Sequence, residues 1–181
     1  MSRLRPPLGP GDHVLGAPDA RIMLVEYGDY ECPFCGQAQP IVSALQRELG
    51  EDLCFAYRHF PMGQAHPHAT RAAQAAEAAG LQGRFWEMHD LLFENQDRLE
   101  EPYLRRYAER LGLDLHRFDR DIESEEVAAK VRSDFLSGAR SGVNGTPTFF
   151  VNGERYDGSW ALPEFLAYLV ALLEEDAQPS I

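Results

Sequence analysis

Apolar and polar positions change period several times along the chain, and each change marks a different kind of element. Ile22 to Val25 form a short unbroken apolar run within ARIMLVEYGDY, closed by Gly28-Asp29, which predicts a buried strand. Ile41, Val42, Leu45 and Leu49 then recur at helical spacing and stop at Gly50, so CPFCGQAQPIVSALQREL predicts a helix. Pro33 suits its first position, where no backbone N–H bond is needed, and Pro40 inside it is expected to kink it. Leu53, Phe55 and Tyr57 alternate with Cys54, Ala56 and Arg58, the period of a second strand. Strand, helix and strand make a βαβ unit with a parallel pair.

From about Ala65 to Ala139 the period is helical throughout. HATRAAQAAEAAG is alanine-rich and ends in Gly80. Phe85, Met88, Leu92 and Trp86, His89, Phe93 lie on two helical spacings, EPYLRRYAERLG opens on proline and ends on glycine, and Val127, Val131, Phe135 recur every four residues. Strand chemistry returns in GVNGTPTFFVNGERYDG, where Asn152-Gly153 separates TFFV from RY as a hairpin turn does. A last amphipathic helix is predicted with Leu162, Phe165, Leu166, Leu169, Val170 and Leu173 facing inward. The order is β-α-β, a helical block, then β-β-α. It divides the chain into a leader (1–15), an α/β core (16–64 and 140–181) and a helical insertion (65–139).

Bulk properties narrow the partners. With 181 residues, 44% of them apolar, the chain can bury the core of one domain. A formal charge of −12 repels phosphate backbones and anionic lipid heads, so neither nucleic acid nor a membrane is an expected partner. The opening MSRLRPPLGPGDHVLG has two arginines but no apolar run after them, so it does not read as a secretory signal, and its prolines and glycines predict a loose leader. A cytoplasmic location is expected, or an exported one if a signal has been removed. A monomer is the default.

Three cysteines are too few for a disulfide framework in a reducing compartment and direct attention to YECPFCG. A structural zinc site usually needs four ligands, and His66-Pro67-His68 is too short for the usual His spacing, so no metal is expected. Cys32 immediately precedes a predicted helix. Unpaired N–H groups and the positive end of the helix dipole would stabilise its thiolate and lower its pKa from about 8.5. Cys35 follows at i+3 on the same face, placed to resolve a disulfide made by a partly exposed, nucleophilic Cys32. Cys54, alone in a strand, reads as a small buried residue. His66 and His68 read as capping or surface residues, Phe85 and Trp86 as core. Asp29 and Glu31 would oppose the thiolate only weakly if solvated.

VEYGDYECPFC, YRHFP, FWEMHDLLF and GVNGTPTFFVNG occur in the order found in the thioredoxin superfamily. The chain resembles its DsbA-like branch from about Ile22 to Leu173. That resemblance implies a thioredoxin-like fold with an inserted helical subdomain and thiol–disulfide oxidoreductase activity. The partners would be protein or peptide thiols and disulfides and a dithiol or glutathione-type redox partner, with no cofactor beyond the Cys32–Cys35 pair. Cys32 matches the attacking thiol and Cys35 the resolving one. Thr146-Pro147 matches the cis-proline loop that receives substrate beside Phe34. Glu26 matches a buried acid that moves a proton for the resolving cysteine, and burial would raise its pKa. Pro33 and Phe34, between the cysteines, tune the potential. Strongly oxidising members carry histidine where this chain has Phe34, so a moderately reducing potential is expected. The alternative is a chaperone-like module that binds peptides near Phe34 and Pro147 without using the cysteines. A glutathione transferase of the kappa-like branch generally has serine in place of Cys32, which speaks against that assignment.

Overall fold

The computed structural model describes residues 2–176, which build one five-stranded sheet and seven α-helices. The strands are β1 (His13–Leu15), β2 (Ile22–Gly28), β3 (Leu53–His59), β4 (Thr148–Val151) and β5 (Glu154–Tyr156), in the order β1-β3-β2-β4-β5. β2 and β3 are parallel, with Glu26 opposite Tyr57 and Gly28 opposite His59, and every other pairing is antiparallel. Helix α1 (Pro33–Leu49) joins β2 to β3, the connection that a parallel pair requires. It starts on Pro33 and stops at Gly50, whose φ of 51° is left-handed. Pro40 lies inside α1, and the helix continues through it to Leu49.

Five helices stand between β3 and β4: α2 (Ala69–Gly80), α3 (Phe85–Glu94), α4 (Glu101–Arg110), α5 (Leu115–Asp121) and α6 (Glu125–Arg140). α2 is buried almost all round by small alanines, which let its neighbours approach closely. α7 (Leu162–Asp176) closes the fold. Phe165 and Leu169 are buried in the main core, and Leu162, Leu166 and Leu173 pack against it. Val170, expected to face inward, is exposed. It follows Leu169 by about 100° of helical rotation, which turns it out of the apolar stripe.

Both faces of the sheet are covered, so β3 is buried at all seven positions despite its alternating sequence. One face carries Ile22, Leu24, Phe55 and Tyr57 beneath α1, α3 and α7. The other carries Val25, Tyr27, Ala56 and Phe150. Ser137 of α6 reaches it through a 2.7 Å bond to the Tyr27 hydroxyl, and Gly138 lies so close to Phe60 and Tyr27 that a methyl group there would meet rings at 2.7–3.0 Å.

The leader is not loose. Residues 13–15 form β1 on the edge of β3, and Leu4 is buried against the second face with Val25 and Phe150. Leu4 N–H donates to the Gly153 carbonyl (2.9 Å), and Arg155 N–H donates to the Ser2 carbonyl (3.0 Å). Its Asp12 forms a buried ion pair with Arg58 (2.7 Å). The physical reason is coverage: Leu4 and its neighbours shield sheet surface that would otherwise be wet.

Candidate active site

Cys32 is the residue that caps α1, with extended backbone and Pro33 in the first turn. At 4% exposure it is buried rather than partly exposed, because residues far along the chain lie over it. Its sulfur is 3.4 Å from the Thr146 carbonyl oxygen, and the Thr146–Pro147 peptide beside it is cis. Cys32 and Cys35 are free thiols here. A hydrogen bond from the Cys35 thiol, joined by bonds from the Thr146 side chain and the N–H groups of Cys35 and Phe34, outweighs burial and lowers the Cys32 pKa to about 5. At neutral pH Cys32 is therefore a thiolate. Cys35, fully buried behind it, is pushed far up by burial, by its bond to Cys32 and by the charge of Glu26.

Glu26 lies on the buried face of β2 at 1% exposure and does not reach solvent. Burial first, and the Cys32 thiolate second, raise its pKa to about 8. Its Oε1 has no hydrogen-bond partner among the described residues. Phe34 stands at the surface, 59% exposed, and Thr146 and Pro147 are half-buried. The structure thus brings Cys32, Cys35, Pro33, Phe34, Thr146 and Pro147 to one place and sets Glu26 beneath them.

Several residues that hold this arrangement carry no signal in the sequence. Asp29 is a buried fastener rather than a solvated acid: its carboxylate accepts the N–H of Glu31 (2.8 Å) and of Met62 (2.9 Å) and pairs with His66 Nδ1 (2.8 Å). Glu31 accepts the N–H of His68 (2.7 Å) and pairs with its Nδ1 (2.8 Å). The two histidines, expected to be surface or capping residues, therefore anchor the acids on either side of the loop before Cys32. Gln96 Nε2 donates to the carbonyls of Tyr30 (2.9 Å) and Cys32 (2.8 Å), tying the loop to the helical block. Only the fold brings these partners together.

For metal, the described residues offer one close group, His59, Glu77 and Asp134, all buried, with ligand atoms within 4.8 Å of one another. Apart from His59 Nδ1, which has no partner among the described residues, the group is bonded within the protein. Glu77 pairs with His59 Nε2 (2.7 Å) and His13 Nε2 (2.8 Å), while Asp134 takes Lys130 Nζ (2.6 Å) and the His59 N–H (3.1 Å). The arrangement is a hydrogen-bonded charge network, remote in sequence from the cysteines.

The contrast between the two thiols has a direct consequence. Pulse alkylation with iodoacetamide, read by mass spectrometry, is expected to label Cys32 with a midpoint near pH 5. Cys35 should stay unlabelled at neutral pH. A Cys32 midpoint near the ordinary value of about 8.5 would contradict the stabilised thiolate.

Comparison with known proteins agrees with this geometry. The family model described as Thioredoxin matches residues 9–171. A thioredoxin-like oxidoreductase from Silicibacter pomeroyi DSS-3 superposes with a TM-score of 0.80 at 30% identity, over 92% of this chain and 94% of that one. BdbD from Bacillus subtilis superposes at 0.83 and 25% identity, over 96% and 98%. Among curated proteins, the Na(+)/H(+) antiporter NhaA 1 of Mycobacterium sp. (strain KMS) is 43% identical over 173 residues, which is 94% of this chain but 28% of the antiporter. The antiporter NhaA 1 of Salinispora arenicola (strain CNS-205) is 49% identical over 149 residues, 23% of its length. This chain therefore spans about a quarter of the curated relatives it matches. The matched residues take in the strand–Cys-x-x-Cys–helix unit, the helical block and the Thr146-Pro147 loop, and the chain belongs to the thioredoxin family.

Proposed function

We propose that the chain is a thiol–disulfide oxidoreductase acting on protein or peptide disulfides through Cys32 and Cys35. The observation that carries this reading is the pairing of a thiolate at the start of α1 with a buried, protonated thiol one turn on. The Cys32 thiolate attacks a substrate disulfide, forms a mixed disulfide and releases one substrate thiol. Bonding of Cys32 in the mixed disulfide removes the charge that helps keep Glu26 protonated, and Cys35 then gives up its proton to the Glu26 carboxylate and attacks the Cys32 sulfur. The second substrate thiolate leaves, and the Cys32–Cys35 disulfide remains for reduction by an external dithiol or a glutathione-type partner. The reverse sequence oxidises a dithiol substrate.

Exposed Phe34 and the half-buried Thr146-Pro147 edge form an apolar, extended landing surface suited to an unfolded segment. Met62 continues it: its sulfur is 4.0 Å from Thr146 Oγ1, and it lines a groove of about 360 Å³ with Pro61, Ala65 and Phe135. The Cys32 pKa of about 5 is reached without a histidine between the cysteines. It lies between about 7 for thioredoxin and about 3.5 for DsbA. A stabilised thiolate favours the reduced form, so this pKa bears on the potential alongside Phe34.

Ion transport is not part of the proposal. The likeness covers 28% of the antiporter chain, and no helix among the described residues is long and apolar enough to cross a membrane.

Cys35→Ser tests the reading. With the resolving thiol gone, the mixed disulfide between Cys32 and a model disulfide substrate should accumulate to near stoichiometry, seen as an added mass that dithiothreitol removes. A Cys35→Ser protein that turns over at the wild-type rate, or forms no adduct, would overturn the assignment.

A further inference from the structure

Three buried side-chain polar atoms among the described residues have no hydrogen-bond partner: Glu26 Oε1, the Tyr57 hydroxyl and His59 Nδ1. All three belong to one face of the parallel β2–β3 pair, the face beneath α1, with Glu26 opposite Tyr57 in the register and His59 two residues further on. Buried polar groups are normally paired, so three orphans side by side mark a place where polarity is kept against stability.

Tyr57 is the unexpected member. Its ring packs against Tyr30 (centroids 5.3 Å apart) and His89 (4.6 Å), contacts that phenylalanine would make equally well. The hydroxyl adds nothing to that packing. It extends over Gly28, where a methyl group would lie 2.7 Å from the oxygen and 2.5 Å from the ring. Gly28 is the last residue of β2. The next residue, Asp29, begins the active-site loop, and its carbonyl takes the Cys32 N–H (3.1 Å). The missing side chain at Gly28 thus lets a hydroxyl from β3 lie across the end of β2, two residues along the same strand face from Glu26.

From this geometry we infer that Tyr57 is a positioning residue for the proton transfer between Cys35 and Glu26: its hydroxyl, unbonded in this structure, turns to donate to the Glu26 carboxylate once that acid ionises. The inference rests on the reading of Cys35 as the resolving thiol. In that step the Cys35 S–H bond breaks and its proton passes to a Glu26 oxygen. The new thiolate bonds to the Cys32 sulfur, and the electron pair of the mixed disulfide leaves on the substrate sulfur. No external oxidant is needed. To accept that proton Glu26 must first be a carboxylate, which in so dry a place requires a donor, and the Tyr57 O–H is an uncommitted one opposite it in the strand register.

The other titratable groups around Tyr57 are occupied. Asp29 is bonded to Glu31, Met62 and His66, Tyr30 bonds His89 Nδ1 (2.9 Å), and His59 is held through Nε2 by Glu77. His89 is kept neutral, its pKa lowered to about 3 by burial. Glu26 and Cys35 are the groups left to exchange a proton, and both act electrostatically on Tyr57.

The test is Tyr57→Phe in a rapid-quench experiment with a model disulfide, resolving formation of the mixed disulfide from its decay. Formation should be unchanged and decay about tenfold slower at pH 7, within what a positioned proton-transfer group supplies. The midpoint of the decay rate against pH should rise by about one unit, because the ionised acid loses its donor. Glu26→Gln combined with Tyr57→Phe should decay no more slowly than Glu26→Gln alone. Wild-type decay and pH profile in Tyr57→Phe would overturn the inference, as would independent, multiplying effects in the double variant. A packing role alone predicts that Tyr57→Leu slows decay while Tyr57→Phe does not. Absence of any mixed disulfide in the wild type and in Cys35→Ser would instead defeat the reading of the cysteines themselves.

Discussion

Serine in place of Cys32 is expected to cut disulfide-exchange turnover on the order of a thousandfold or more while leaving the fold intact. The reactive species is the thiolate, which the start of α1, the Cys35 thiol and Thr146 stabilise together. A serine hydroxyl fits the same space but does not ionise at neutral pH, so no partner in the site can make it a comparable nucleophile. The change also removes the negative charge that helps raise Glu26. The Glu26 titration, followed by the infrared carboxyl band, should therefore move down from about 8. Insulin-disulfide reduction measured beside thermal unfolding separates chemistry from folding. Full reductase activity in Cys32→Ser would show that the cysteines are incidental and would favour the peptide-binding alternative.

Arg58→Ala is expected to destabilise the protein by about 3–5 kcal/mol, measured by urea unfolding. Arg58 is 3% exposed and all its bonds are internal. Nε and Nη2 donate to the two Asp12 oxygens (2.7 and 2.9 Å), and Nη1 donates to the Pro6 carbonyl (2.9 Å) and the Tyr27 hydroxyl (3.0 Å). Removing it strands a buried carboxylate and pulls the anchor from residues 2–12, whose amides should then exchange faster with solvent. Arg58→Lys keeps the charge but loses the two-pronged geometry and should recover only part of the loss. The effect has a pH signature. Burial, the largest single cause, raises the Asp12 pKa, but the Arg58 hydrogen bond, the Gly9 N–H and the positive charges of Arg58 and Lys130 together outweigh it, and the net shift is downward. The folded value is thus below the unfolded one of about 3.9. The stabilisation is complete above that value and is lost as pH falls through the folded pKa, so wild-type and variant stabilities should converge in acid. A loss under about 1 kcal/mol would mean that the N-terminal segment contributes little to the fold.

Much of the architecture is legible in the amino-acid order because its signals are local. Ile22–Val25, the helical spacing from Ile41 to Leu49, the alternation from Leu53 to Tyr57 and Asn152-Gly153 each state their element within a few residues. The helical block is equally plain from its spacings and its glycine stops. β1 is not legible: three residues hold no period, and their partner, β3, lies some forty residues on. The burial of Leu4 and the exposure of Val170 are hidden for related reasons. Whether an apolar residue is covered depends on which surface the fold leaves open, and helical spacing gives an angle but not the width of the face it meets.

The same division runs through the site. Cys32, Cys35, Pro33 and Phe34 are contiguous, so helix geometry and the chemistry of a terminal thiol fix their relation within four residues. Sequence alone thus placed two thiols one turn apart at the start of a helix and pointed to the fold that carries them. The tertiary structure alone decided how deep Cys32 lies, since its cover, Thr146-Pro147, arrives from 114 residues away. It decided that Asp29 and Glu31 are clasped by His66 and His68, and that Glu26 and Tyr57 share a buried face. The physical reason is that burial and electrostatic environment belong to the space around a group. That space is filled by parts of the chain whose distance in sequence carries no signal of their nearness.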